Sequence, residues 1–386
     1  MDFSWSDIFF ALVIFQLLFL SLFLISNKKG KRLSNLLLGF FFLSIGLNLL
    51  DSFLVLKKAW TFSPLLVGWG ICLPLLFGPL LYLYAQSILF KDFELKGKKW
   101  LHLLPFFIFF LGSELQYILL GKENQEVLLN QILQRKIPAG LYVSTGLIFC
   151  QFFIYVAACF RLIGRYKQVA SDHFSDEEKV NISWLSSTIL FFTLCMVLAA
   201  INGFSGLTPF SKYYFIVLNA LVFLIIIFIS SVLMKALRSP EIFSVMKENN
   251  PDSKSNVAEF SRYQGSTISD EERKRMIENL NLHMRTRRPW LEPELSLEEL
   301  SAQMAIKPRM LSQLINETLK QNFFDFVNRY RIEEAKRLLT NPADKKITVL
   351  EVLYEVGFNS KSSFNTLFKK YTGLTPSEFK KKSRQA

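Results

Sequence analysis

The chain has 386 residues, 51% of them hydrophobic, with 39 phenylalanines and a formal net charge of +13. A positive mean hydropathy beside so basic a balance excludes one ordinary soluble fold, unless greasy and basic parts are segregated. They are: residues 1–236 hold the long apolar runs, whereas 237–386 read as charged and helical. Cys72, Cys150, Cys159 and Cys195 each lie inside an apolar run, without CxxC or metal-ligand spacing, and read as small hydrophobes. His102, His173 and His283 are too scattered for a metal site, so neither metal nor cofactor is expected.

A helix needs about 20 apolar residues to cross a bilayer. Such stretches recur at 8–26, 33–55, 63–90, 100–120, 139–160, 182–204 and 213–236. A seven-helix transmembrane bundle over 1–236 is therefore expected, with its two ends on opposite sides. The first run has no basic segment before it, and Lys28, Lys29, Lys31 and Arg32 follow it, which argues against a cleaved signal. Lys and Arg in short loops set the orientation. Lys91, Lys96, Lys98 and Lys99 follow the third span, and Arg161, Arg165, Lys167 and Lys179 the fifth. The alternate loops are poorer, with Lys57 and Lys58, then Lys122, Arg135 and Lys136, then Lys212. The expectation is a multi-pass membrane protein, N-terminus outside and its C-terminal domain in the cytoplasm.

In this orientation Asp51, Glu114 and Asn202 fall near the outer ends of spans 2, 4 and 6, with Trp69 and Tyr117 at similar depth. Polar groups inside a membrane are costly unless paired. These five residues are either a candidate pocket for a small-molecule or envelope signal, or interfacial groups hydrogen-bonded between helices. Pro74 and Pro79 beside Gly78 predict a kink in the third span.

Residues 237–269 read as a cytoplasmic linker: Ser239-Pro240 ends the last span, and Asn249-Asn250-Pro251-Asp252-Ser253 is rich in helix breakers. Ser269 and Glu272 form a capping-box pattern ahead of a basic helix at 270–286. Its stripe of Met276, Leu280 and Met284 suits packing on its own domain or a homodimer contact.

Two helix-turn-helix patterns follow, at about 297–319 and 348–370. In the first, Ser296 caps a helix with Glu299 at its N3 position, and Pro308 opens a second helix running to about 319. That helix buries Leu311, Leu314 and Ile315 and turns Arg309, Ser312, Gln313 and Asn316 elsewhere. A long amphipathic helix is expected at 322–340. In the second pattern Thr348 caps a helix, Gly357 occupies the turn, and Ser360 caps a helix at 361–370. This last helix buries Phe364 and Phe368 and exposes Lys361, Ser362, Asn365 and Thr366.

The run Leu297-Glu298-Glu299-Leu300, then Arg331-Ile332-Glu333-Glu334-Ala335-Lys336-Arg337-Leu338-Leu339, resembles the AraC/XylS family of bacterial regulators. So do Val356-Gly357-Phe358-Asn359-Ser360 and Gly373-Leu374-Thr375-Pro376-Ser377-Glu378-Phe379. The resemblance covers about the last 100 residues, from roughly 285 onward. Gly78-Pro79-Leu80-Leu81-Tyr82-Leu83-Tyr84 also resembles a multi-spanning group of such proteins. Lys307-Pro308-Arg309 replaces the more typical Ser or Thr cap, and Thr366 stands where arginine is common, so base-reading residues are where this chain departs from the family.

The resemblance implies an all-α chain: the bundle, then an AraC-type DNA-binding domain over 270–386, with two helix-turn-helix units joined by a long helix. It implies a membrane-anchored, sequence-specific transcription regulator that binds double-stranded DNA from the bilayer, senses a signal through its membrane domain and meets RNA polymerase. Arg309, Ser312 and Gln313, with Lys361, Ser362, Asn365 and Thr366, are the candidates for base contact. Lys320, Lys369 and Lys370 are candidates for phosphate. Residues 296–386 carry 16 Lys and Arg against 10 Asp and Glu, a net +6 that attracts phosphate in a salt-sensitive way. The alternative function is a membrane transporter or receptor whose tail has only a regulatory or interaction role; the lack of an internal repeat speaks against it. No Gly-rich phosphate loop or HExxH occurs, so no catalytic residue is nominated and an enzyme is not expected.

Overall fold

The computed structural model describes residues 5–28, 31–63, 66–90, 93–134, 138–176, 182–208, 212–238, 270–340 and 347–383. Most of the linker (239–269), the Ser269 cap, and Arg135, Lys136 and Lys179 lie outside these residues. Among the described residues the fold is all-α, with fifteen α-helices and no strand. The chain divides into two compact bodies, Met1–Leu162 with Trp184–Lys254, and Ile163–Ser183 with Ser255–Ala386.

The N-terminal body contains α1 (Trp5–Ser26), α2 (Arg32–Leu56), α3 (Pro74–Leu89), α4 (Leu104–Leu119), α5 (Gly121–Leu133), most of α6 (Ala139–His173), α7 (Ser183–Phe204) and α8 (Tyr214–Arg238). Seven segments of it are long and apolar enough to cross a membrane: Asp7–Ser26, Arg32–Leu56, Trp69–Leu89, Gly97–Leu119, Ala139–His173, Trp184–Phe204 and Tyr214–Val232. α2 packs against both α1 and α3, and α1 against α8. The α1–α2 approach is close because Gly39 has no side chain to meet Ile25, and Ser21 Oγ donates to the Gly39 carbonyl at 2.9 Å. Inside, Phe41 meets Phe192 edge to face at 4.8 Å between ring centres. The outer faces are equally apolar, with Phe15, Leu111 and Ile154 each more than 60% exposed.

Three boundaries differ from expectation. The third apolar stretch is a 3-10 turn at Trp69–Cys72 followed by α3, because Pro74 lacks the donor an interior position needs and so starts a helix. Pro79 lies inside α3. Residues 121–133, read only as loop, form α5, whose Leu129 packs beside Trp60 and Val67. The largest difference is α6, which continues past residue 160 to His173. Hydropathy falls there, but Arg161, Leu162, Arg165, Lys167, Gln168 and Ala170 are good helix formers, so the apolar run stops before the helix does.

The C-terminal body holds α9 (Asp270–Thr286), α10 (Leu297–Gln303), α11 (Pro308–Gln313), α12 (Phe323–Thr340), α13 (Val349–Glu355), α14 (Lys361–Thr372) and α15 (Pro376–Ser383). The stripe on α9 packs on its own body: Leu280 and Met284 are fully buried with Trp290, Leu300 and Phe326. It is therefore not free to serve a homodimer. α12 feeds two cores at once. Phe323, Phe326 and Val327 complete the core around α10 and α11, while Ile332, Ala335 and Leu339 complete the core around α13 and α14.

Candidate nucleic-acid interface

Two short helix pairs are each framed by a reciprocal cap. Ser296 Oγ accepts from the Glu299 amide at 3.2 Å while Glu299 Oε2 accepts from the Ser296 amide at 2.8 Å. Thr348 and Glu351 repeat the arrangement at 3.1 and 2.6 Å. These bonds to the charged carboxylate hold Glu351 below its ordinary pKa. Each pair turns through a left-handed residue, Ala305 (φ 53°) in the first and Gly357 (φ 83°) in the second.

The second helix of the first pair is shorter than expected. α11 ends at Gln313 and gives way to a π turn over Leu314–Thr318, in which the Leu319 amide reaches the Leu314 carbonyl at 3.3 Å. Lys320, at φ 55°, then breaks the helical path, and α12 begins after the Asn322 side chain accepts from the Asp325 amide at 2.7 Å.

The buried residues of these helices leave the opposite face polar. Leu311, Leu314 and Ile315 are buried, Arg309 is exposed, and Ser312 and Gln313 are half-buried. On α14, Phe364, Leu367 and Phe368 are buried, whereas Lys361, Ser362 and Thr366 are exposed with Asn365 between them. Lys320, Lys369 and Lys370 are exposed. Two of the candidates carry internal bonds: Gln313 Nε2 donates to Glu317 at 3.0 Å, and Lys370 Nζ donates to Asp325 at 2.8 Å. Tyr371 donates to the same Asp325 oxygen at 2.9 Å, which clasps the end of α14 to the start of α12. Burial, with the Asp325 hydrogen bond and charge, pushes the Tyr371 hydroxyl pKa upward.

Two capped helix pairs on one long helix are the decisive feature. Residues 300–382 match the helix-turn-helix domain family. The domain is also 37% identical over 92 residues to YesN, a transcriptional regulatory protein of Bacillus subtilis (strain 168), across 23% of this chain and 24% of that one. An HTH-type transcriptional regulator of Staphylococcus aureus (strain COL) is 30% identical over 115 residues, 30% of this chain and 14% of its own. One from Pseudoalteromonas carrageenovora is 49% identical over 51 residues, 13% of this chain and 28% of its own. The chain thus spans about a quarter or less of the first two relatives, and the similarity lies in the AraC-type helix-turn-helix domain. No solved structure matches. The C-terminal body contains a helix-turn-helix domain similar to those of these transcriptional regulators.

What holds the two helix pairs of this domain in place is a buried arginine. Arg331, on α12, is 1% exposed. Its Nε donates to the Trp290 carbonyl at 2.8 Å, and its Nη2 to the carbonyls of Glu292 (2.7 Å) and Pro293 (3.2 Å). Its guanidinium stands 5.6 Å from the Phe358 ring centre, in the turn of the second pair. Burial lowers its pKa to about 10, offset in part by Asp176 and Glu292, so it stays charged at neutral pH. The sequence contains a signal for this hub that motif reading passed over. Phe324, Asn328, Arg331, Ala335 and Leu339 recur at helical spacing, which places two polar residues on the apolar stripe. Polar groups at core positions need partners, and here they bind the domain together.

The proposed signal-pocket residues are only partly brought together. Asp51 accepts from the Gly68 amide at 2.7 Å, next to Trp69. The Tyr117 ring lies within 4 Å of where a Gly68 Cβ would stand. Glu114 is near enough to Asp51 for their charges to interact. Trp69 Nε1 is occupied by the Leu66 carbonyl at 3.1 Å. Asn202 lines a cavity of about 430 Å³ with Phe204, Tyr213 and Tyr214 among others.

Proposed function

We propose that this protein is a membrane-anchored, sequence-specific DNA-binding transcription regulator that takes its signal through the N-terminal body. The observation that carries the reading is the joining, in one chain, of two helix-turn-helix pairs with polar faces to seven helices apolar on their outward sides. An apolar exterior of that size is stable in lipid and not in water. The clustering of Lys and Arg in alternate loops supports an outside N-terminus and a cytoplasmic DNA-binding domain. α12, at 18 residues, spans about 27 Å, a fitting spacer for recognition helices that enter major-groove segments about 34 Å apart. One chain then reads two groove segments without a second copy.

Within this reading Arg309, Ser312, Gln313, Lys361, Ser362, Asn365 and Thr366 meet base edges, and Lys320 and Lys369 meet phosphate. Lys370 is the weakest of the phosphate candidates because Asp325 already holds its ammonium. Genome-wide occupancy of the full-length protein in its membrane, with and without Arg309→Ala plus Lys361→Ala, tests the assignment. Discrete sites, lost in the double variant, are the expected result. In binding assays Arg309→Ala alone should cost about 1–3 kcal/mol at one base position. A uniform loss across all sequences, with a shallower salt dependence, would instead place Arg309 on phosphate.

A further inference from the structure

Residues 172–176, the last residues of α6 and the three that follow it, belong to the C-terminal body and are seated on its first helix-turn-helix pair. Ser175 is the anchor, 1% exposed. Its Oγ donates to the Leu295 carbonyl at 2.7 Å and its amide to the same oxygen at 3.3 Å. Its own carbonyl accepts from Asn328 Nδ2 at 2.9 Å and from Arg331 Nη1 at 3.3 Å. Phe174 forms an antiparallel bridge with Ser296, the cap of α10, and His173 Nδ1 pairs with Glu298 Oε1 at 2.9 Å. Burial would raise the Glu298 carboxyl, but the His173 hydrogen bond, a backbone hydrogen bond and the His173 charge together hold its pKa low.

Such a set of contacts is specific. A serine that gives and takes five hydrogen bonds in a buried slot is not a chance surface encounter, since each buried polar group there would be costly without its partner. The same segment also reaches the π turn that continues the recognition helix. Asp172 Oδ1 accepts from Asn316 Nδ2 at 3.4 Å, and Asn316 is one turn beyond Ser312, which it also contacts at 3.4 Å. Asp172 thus sets a carboxylate beside the end of the first candidate base-reading helix, in a domain that is otherwise basic. DNA phosphates approaching that helix would meet negative charge, and like charges at close range repel.

We infer that residues 172–176 are an autoinhibitory clip: docked in the Asn328–Arg331 slot, they hold the first recognition helix in a state of weak DNA affinity. The inference rests on the DNA-binding reading above. α6 is one unbroken helix from Ala139 to His173, so the clip is continuous in the chain with an apolar span, and displacement of that helix is the event that would free it.

The test uses the full-length chain in lipid vesicles, with Asp172→Cys and Asn316→Cys joined by a short bifunctional maleimide. The native cysteines all lie in the apolar segments, away from this pair. Sheared genomic DNA of the host is the probe. The linked protein should bind it about tenfold or more weakly than the same variant left unlinked, the usual range for coupling between two states. A second variant, Ser175→Gly, removes the anchoring hydroxyl and should bind more tightly than the parent chain. Equal affinity of linked and unlinked protein, with the link confirmed by mass, overturns autoinhibition while leaving the docking in place. Failure of the link to form overturns the docking itself. If the parent chain and Ser175→Gly both bind no DNA, the DNA-binding reading fails and the clip's role falls with it.

Discussion

Arg331→Met in the full chain is expected to destabilise the C-terminal body by about 3–5 kcal/mol, a large part of the stability of a domain this size. Methionine fills much of the volume but donates nothing. The carbonyls of Trp290, Glu292 and Pro293, and the Ser175 carbonyl and hydroxyl, all lose a donor at once. Buried acceptors without partners cost about 1–3 kcal/mol each, which is why one substitution has so large an effect. Arg331→Lys should recover little of it, because an ammonium on a flexible stem cannot present the planar fork that reaches carbonyls on several sides. Amide hydrogen exchange along α12 checks this. Protection should fall across both helix pairs together, since Arg331 joins the segment before α10 to the turn before α14. Loss confined to one pair would show that the hub does not couple them.

Gly357→Ala should be of similar severity, on the order of 3 kcal/mol, for a different reason. The backbone there has φ 83°, which L-residues with a Cβ adopt at a cost. A Cβ would also stand 2.7 Å from the Leu291 carbonyl oxygen and 2.8 Å from that of Trp290. These are backbone atoms of the segment that Arg331 grips, and they cannot swing aside as a flexible side chain would. Gly373 supplies the control: its φ is 77° but nothing lies within 4 Å of its missing Cβ. Gly373→Ala should therefore cost only about 1 kcal/mol. Thermal unfolding of the two variants side by side separates the conformational from the steric contribution. Because Gly357 and Arg331 act on the same stretch, 290–293, their effects should combine non-additively.

Much of this architecture was legible in the chain. The apolar stretches marked seven segments, because hydrocarbon tolerates no run of charge and a spanning helix has a minimum length. Ser296 with Glu299, Thr348 with Glu351, and Gly357 marked the helix-turn-helix pairs, because caps and left-handed turns depend on residues only a few positions apart. The exposed faces at Lys361, Ser362 and Thr366 followed from the spacing of Phe364 and Phe368. The rest was not legible for one kind of reason. The extension of α6 escapes hydropathy, because hydropathy falls before the helix ends. The π turn after Gln313 depends on how Leu314 and Ile315 are drawn into a core built by distant residues.

What the sequence by itself determined was therefore local and periodic: which segments are helical, which faces are apolar, and where two capped pairs lie. Only the tertiary structure decided that Arg331 and Asn328, polar residues on an apolar stripe, are satisfied by carbonyls up to about forty positions earlier and by Ser175 more than one hundred and fifty positions away. It likewise placed Asp172 against Asn316. The physical reason is range. Caps, turns and amphipathic periods are set by neighbours within a turn or two of chain, and their energies can be read in order along it. A buried hydrogen bond takes its partner from whatever the packed chain brings within about 3 Å, and that choice exists only after folding.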